Sequence, residues 1–193
     1  MPLKSTEVAP VMTTSAGYNP VPSHMNDTYF MKKALQVAQE ALTAGEFPVG
    51  CVLTSGDKIL ATASRTGTAP DAVNEIDHAE MLALRKLADL RNPAAPAKIT
   101  LYSTLEPCLM CFGAIVLSGI DKLVYAYEDV MGGGTGCDLA RMPPLYQQLR
   151  ISITPHVLRN ESLSLFKAYF ANPKTLYWQG SLLATYTLDQ SAE

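Results

Sequence analysis

Apolar residues first recur at helical spacing over Met31, Leu35, Val37, Ala38, Ala41 and Leu42, a run that Asp27 can cap and that stops near Gly45. Two short apolar runs follow, Val49 to Leu53 and Ile59 to Ala63. Ser55-Gly56-Asp57 between them has the composition of a tight turn and predicts an antiparallel hairpin. Beyond a polar loop through Pro70 and Asn74, helical spacing resumes from His78 through Met81, Leu82, Leu84, Leu87 and Leu90, and Pro93 and Pro96 end it. Alternation at Ile99, Leu101 and Ser103 predicts a strand, followed by a helix from Cys108 to Leu117 and a strand from Leu123 to Tyr127. A glycine-rich loop (Gly132, Gly133, Gly134, Gly136) then precedes a predicted helix over Leu139 to Leu149, a short strand at Ile151 to Ile153 and a helix around Leu163 to Phe170. This alternation places helices on both faces of a mixed sheet.

Residues 1–26 hold Pro2, Pro10, Pro20 and Pro22 among Ser and Thr without apolar periodicity and are expected to form a flexible tail. The domain proper is expected over residues 27–173, and residues 174–193 as a C-terminal extension packing on the domain or on a dimer partner. With 193 residues, 48% of them hydrophobic, the chain can fill a single core. No run reaches the roughly 18–20 apolar residues needed to span a bilayer, so no membrane span is expected. A formal net charge of −3 gives no general attraction to a polyanion. Four cysteines at uneven spacing, with no secretory leader, point to a reducing compartment, the cytoplasm, where thiols serve metals or cores.

Chemistry concentrates in two fragments, His78-Ala79-Glu80 opening one helix and Pro107-Cys108-Leu109-Met110-Cys111 opening the next. Together they match the His-x-Glu and Pro-Cys-x-x-Cys signature of zinc deaminases, in which the histidine and both cysteines bind the metal and the glutamate does not. Cysteines three apart on one turn turn their sulfurs the same way, and free amides at a helix start favour thiolates. Pro107, lacking an N–H, suits the first turn. Three protein ligands to one zinc per chain leave a fourth position for water, as in a catalytic site. Glu80 is expected to take the water's proton, deliver it to a ring nitrogen and protonate the departing amine. The plainer readings are a capping box formed by Asp77 and Glu80, a redox pair, and a structural zinc completed by Cys51 or Cys137. Cys51, inside an apolar strand, reads as a small hydrophobe, and the structural reading is preferred for Cys137 as well.

Pro48-Val49-Gly50, His78-Ala79-Glu80-Met81 and Thr104 to Cys111 with Gly113-Ala114-Ile115 resemble the tRNA adenosine, guanine and cytosine deaminase branch of the cytidine deaminase superfamily, over about Met31 to Tyr127. The resemblance implies an α/β fold: a three-layer α/β/α sandwich with a central mixed five-stranded sheet, assembled as a homodimer. It implies substrate contacts near Ala79 and along Leu105, Glu106 and Pro107. The family's asparagine after the second strand is missing, since the corresponding stretch reads Ala63-Ser64-Arg65. Arg65 or Asn74 is the candidate to take its role.

Relatives that act on tRNA add basic residues near the C-terminus, whereas residues 160–193 here set two lysines against three acids. That stretch offers aromatics instead, and Tyr177 and Trp178 are the candidates for a lid that stacks on a flat base. The expected substrate is therefore a small molecule, a free nucleobase or nucleoside of guanine or cytosine type. tRNA wobble adenosine is the runner-up, and a catalytically silent zinc scaffold of the same fold is the reading from another class.

Overall fold

In the computed structural model, which describes residues 23–68, 74–90 and 98–191, the first apolar run folds as helix α1 (Ser23–Thr43). Most of the expected tail, and Pro70, Pro93 and Pro96, lie outside the described residues. Phe30, Met31, Ala34, Ala38 and Ala41 line the buried face of α1 at the spacing read from the sequence. Gly45 ends it at φ +81°, where its N–H reaches Leu42 O and the next amide reaches Ala41 O. Asp27 does not cap this helix, because α1 begins upstream of it. Its buried carboxylate accepts from Tyr102 Oη at 3.0 Å and Lys122 Nζ at 2.6 Å, and so fastens the helix across the sheet.

Among the described residues five strands form one sheet in the order β2-β1-β3-β4-β5. β1 (Gly50–Ser55) and β2 (Lys58–Ser64) form the expected hairpin, with a register shift at Leu53/Thr54. β1 also pairs antiparallel with β3 (Thr100–Leu105), while β4 (Lys122–Tyr127) and β5 (Ser152–Thr154) continue in parallel from β3. The sheet is mixed, as the sequence implied.

Strand alternation separates two cores. Val52, Tyr102, Val124 and Ala126 meet α1, while Cys51, Leu53, Leu101 and Leu123 join the larger cluster with Ala83 and Leu87 of α2 (Ala79–Leu90) and Ile115 and Val116 of α3 (Leu109–Leu117). α5 (Arg159–Phe170) packs on β4 and beside α1, and α6 (Leu182–Asp189) packs on α5. This is the α/β/α sandwich. Gly50 permits the close seat of α1: a Cβ there would lie 2.2 Å from Ala34 O and 2.6 Å from Ala38 N.

The expected helix over residues 139–149 is broken into a 3-10 turn (Leu139–Arg141) and a four-residue α4 (Pro144–Gln147). Pro143 and Pro144 supply no N–H to bond backwards, so the first piece cannot continue through them. α6 was not expected. Ser181, whose Oγ accepts from Ala184 N at 3.1 Å directly before an apolar run, is the signal that marks it. Thr187 on α6 meets Tyr127 Oη at 3.1 Å beneath it.

Candidate metal centre and pocket

α2 and α3 lie side by side, and both start at the end of the sheet where β3 finishes. This brings together residues thirty positions apart. His78 directly precedes α2, and its carbonyl accepts from Leu82 N. Cys108 is the N-cap of α3 in extended conformation and its carbonyl accepts from Phe112 N, while its sulfur caps nothing. Pro107 thus stands one residue outside the helix and not in its first turn. Cys111 follows inside the first turn, fully buried.

His78 Nδ1 lies 3.5 Å from Cys111 Sγ and 3.7 Å from Cys108 Sγ, and the three donor atoms all fall within 4.8 Å of one another. A tetrahedral zinc with bonds of about 2.3 Å to sulfur and about 2.05 Å to nitrogen sets such atoms roughly 3.5 Å apart, so the donor set fits that ion. Zinc is the cofactor, and His78, Cys108 and Cys111 are positioned to bind it. Cys51 and Cys137 stand outside this group. The hydrogen bond from Cys111 lowers the Cys108 thiol to about 4, against the effect of burial, and the same bond together with burial pushes Cys111 up.

Glu80 occupies the second position of α2 and is buried at 3% exposure. Its carboxylate does not close a capping box with Asp77. Oε1 accepts from Ser103 Oγ at 3.0 Å and Oε2 lies 3.6 Å from Cys111 Sγ. Burial pushes its carboxyl above the ordinary glutamate range. Its own backbone N–H, His78 and Ser103 oppose that shift only in part.

These groups open onto a pocket. His78, Glu80 and Cys108 meet there with apolar Phe47, Val49 and Leu105, and its remaining lining includes Arg65, Tyr177 and Trp178. Arg65 is 2% exposed, with Nη1 donating to Thr66 O at 2.8 Å and Asn74 O at 2.6 Å. Its guanidinium lies over the Tyr177 ring, 5.7 Å from the centroid, and Trp178 stacks on Tyr177 at 5.0 Å. Trp178 sits at φ +57°, a left-handed backbone that a bulky residue adopts only where its surroundings enforce it.

The other sequence candidates are placed differently. The Asn74 side chain is used within its own loop, donating to Asp77 and accepting from the amides of Ile76 and Asp77. Ala79 is buried at the start of α2. Glu106 borders the cavity, yet its carboxylate is bound by Asp129 N, Thr135 N and Thr135 Oγ1. Pro107 O accepts from Gly134 N at 2.8 Å. The glycine-rich loop is thus the support of the Glu106 to Cys108 segment, and a Cβ on Gly134 would meet Leu109 backbone at 2.7 Å. Sequence reasoning missed Phe47 and Asp129 in the lining. Phe47 is the centre of an aromatic cluster with Phe166, Tyr169, Phe170, Tyr177 and Trp178 that holds the C-terminal segment over the site.

Comparison with known proteins places this geometry. The family model for the cytidine and deoxycytidylate deaminase zinc-binding region matches residues 24–127. The chain is 32% identical over 154 residues to a tRNA-specific adenosine deaminase of Buchnera aphidicola subsp. Schizaphis graminum, covering 77% of this chain and 96% of that one. Among solved structures it resembles a tRNA:A34 deaminase studied for A-to-I editing at the wobble position of transfer RNA, with TM-score 0.58 and 26% identity over 72% of this chain and 99% of that one. It also shares the fold of the guanine deaminase from Nitrosomonas europaea, with TM-score 0.60 and 22% identity over 84% of this chain and 100% of that one.

Proposed function

This chain belongs to the cytidine and deoxycytidylate deaminase family, and we propose that it hydrolyses the exocyclic amine of adenosine at the wobble position of transfer RNA, giving inosine and ammonia. The expectation of a free nucleobase or nucleoside substrate is corrected. Relatives that match most of their length to this chain carry the tRNA-specific adenosine name, whereas the guanine deaminase likeness at 22% identity speaks for fold alone. The C-terminal charge count misled because residues 160–191 supply buried packing as well as surface, and a sum over them does not say where the charges stand relative to the pocket. Leu163, Phe166 and Leu183 are buried there, and Lys167 is bonded to the Gln190 carbonyl. Their net charge therefore says little about the potential around the pocket.

The observation that carries the reading is Glu80, a buried carboxylate beside the three-ligand cluster and no member of it. A scaffold site has no use for such a group. His78, Cys108 and Cys111 would hold the zinc, which when bound would supply the Lewis acidity that brings a water's pKa toward neutral. Glu80 accepts the proton of that water and passes it to the ring nitrogen next to the reacting carbon. It then takes the second proton, from the hydroxyl now on that carbon, and delivers it to the amine as the carbon–nitrogen bond breaks, so amine and water become carbonyl and ammonia. Phe47, Tyr177 and Trp178 enclose the base by apolar and stacking contact. The pocket these side chains line is where a base turned out of its strand would sit.

We include a homodimer in this reading, supported by exposed Leu109 and Leu117 on α3 and Val130 and Met131 beyond β4. Light scattering tests it. No helix among the described residues is long and apolar enough to cross a membrane.

The test of function is inosine formation by the zinc-loaded protein in an anticodon stem-loop carrying adenosine at the wobble position. Free adenine, guanine, cytosine and their nucleosides are assayed alongside, with Glu80→Ala as control. Inosine in the stem-loop alone, lost in the variant, supports the proposal. Ammonia released only from a free base or nucleoside overturns it.

A further inference from the structure

His78 directs its two ring nitrogens to different partners. Nδ1 faces the two cysteine sulfurs, so with Nδ1 on the metal the ring proton resides on Nε2. Nε2 lies 3.9 Å from Glu75 Oε2, three residues upstream. The same oxygen accepts from Tyr177 Oη at 2.8 Å and faces Arg65 Nη2 at 3.4 Å. Glu75 is half exposed, and an untethered surface glutamate would spend little time in any one orientation. Here it has two tethers. Arg65 is itself locked by the carbonyls of Thr66 and Asn74, and Tyr177 is held in the Phe47 aromatic cluster.

We infer that Glu75 is a positioning residue for the metal ligand His78, and that Tyr177 ties the C-terminal segment to the metal centre through it. A carboxylate facing the outer N–H of a ligating histidine fixes the ring orientation and raises the basicity of the ligating nitrogen. In this chain that carboxylate is held from a segment 102 residues away in sequence. The C-terminal segment therefore contributes to metal retention as well as to enclosing the base. The inference rests on the zinc reading of His78 and holds whichever nucleobase is the substrate.

The test is zinc affinity by competition with a fluorescent chelator, on wild type, Glu75→Gln and Tyr177→Phe. It is accompanied by the absorption spectrum of each protein loaded with Co²⁺ and by the melting temperature of each zinc-free protein. Wild type should bind one zinc per chain; if it binds none, the metal reading itself fails. Loss of an outer partner of this kind weakens metal binding by about 10–100-fold, and Glu75→Gln is expected near the lower end because the side chain is half exposed. Tyr177→Phe should give a smaller loss in the same direction, both with altered cobalt spectra and unchanged zinc-free melting. Wild-type affinity and spectrum in Glu75→Gln overturn the inference. A weakened Glu75→Gln beside an unaltered Tyr177→Phe removes the C-terminal tie.

Discussion

Ser103 Oγ donates to Glu80 Oε1 at 3.0 Å, joining the middle of β3 to the buried carboxylate on α2. The bond fixes one oxygen and leaves Oε2 directed at the metal ligands, 3.6 Å from Cys111 Sγ. Ser103→Ala keeps the metal donors and the proton carrier but frees the carboxylate to rotate. We expect kcat to fall about tenfold with KM nearly unchanged, against a loss of about 10²–10⁴-fold for Glu80→Gln, which removes the proton carrier itself. Steady-state kinetics on the stem-loop separate the two. A Ser103→Ala enzyme with altered KM and normal kcat would assign Ser103 to binding instead.

The same bond shapes the pH dependence. Burial raises the Glu80 carboxyl above its ordinary 4.5, and the group works as a carboxylate. Its active form therefore grows as pH rises through the raised value and is lost as pH falls through it, so the acid limb of kcat/KM should lie above the usual glutamate range. Ser103 is one of the groups that lower this pKa. Its removal should move the acid limb to higher pH, whereas a limb that came from a surface carboxylate would stay where it was.

Cys108 supplies a chemical readout of the metal. Its thiol is lowered to about 4 by the Cys111 hydrogen bond, so after chelation it is a thiolate at neutral pH, while buried Cys111 and Cys51 are pushed up. Iodoacetamide should label Cys108 first in the chelated protein, and zinc should protect it. Peptide mass spectrometry reads the order, and labelling of Cys51 ahead of Cys108 would contradict it.

Arg65 occupies the place after the second strand where the family resemblance implies an asparagine, and the two residues differ in kind: a guanidinium only donates, whereas an amide also accepts. With Nη1 committed to Thr66 O and Asn74 O, the group is a rigid, buried donor beside the cavity. Hydrogen bonds from charged donors contribute about 1.5–3 kcal/mol, so Arg65→Asn should raise KM for the stem-loop by about 10–100-fold with a smaller change in kcat. An unchanged KM would restrict Arg65 to holding Glu75 and Tyr177.

The metal donors were legible in the sequence because their spacing is local. His78 and Glu80 share one helix start and Cys108 and Cys111 another, and two helix starts at one sheet end must meet. The hairpin was legible from its turn residues, and the five strands from short apolar runs and the alternation at Ile99, Leu101 and Ser103. What stayed hidden depends on contacts between distant segments. Nothing local announces that Glu75 will meet Tyr177, or that the Asp27 side chain will reach from its helix to Lys122. Pro143 and Pro144 could have broken the expected helix on paper, but the apolar spacing on either side outweighed them in a window reading. The substrate was misjudged because a sum of charges along a segment carries no information on where folding places them.

The glycine-rich loop gives the sharpest test of how the site is held. Gly134 N donates to Pro107 O at 2.8 Å, and Gly133 bridges Cys108, so the loop lies flat against the start of α3. A Cβ on Gly134 would fall 2.7 Å from Leu109 N and Cα and 2.8 Å from Cys108 C. These are backbone atoms and cannot swing aside, so Gly134→Ala must push either the loop or the Cys108 backbone. Displacing Cys108 by a few tenths of an ångström spoils a tetrahedral donor set whose distances are tolerant to about ±0.2 Å. We expect Gly134→Ala to weaken zinc binding by at least about tenfold and to destabilise the protein by about 1–3 kcal/mol, the usual range for overpacking. Gly136→Ala in the same loop meets nothing within 4 Å and should match wild type in both measurements. If the two variants lose zinc equally, the loop acts through its flexibility; if only Gly134→Ala does, the close approach to α3 is what places Cys108.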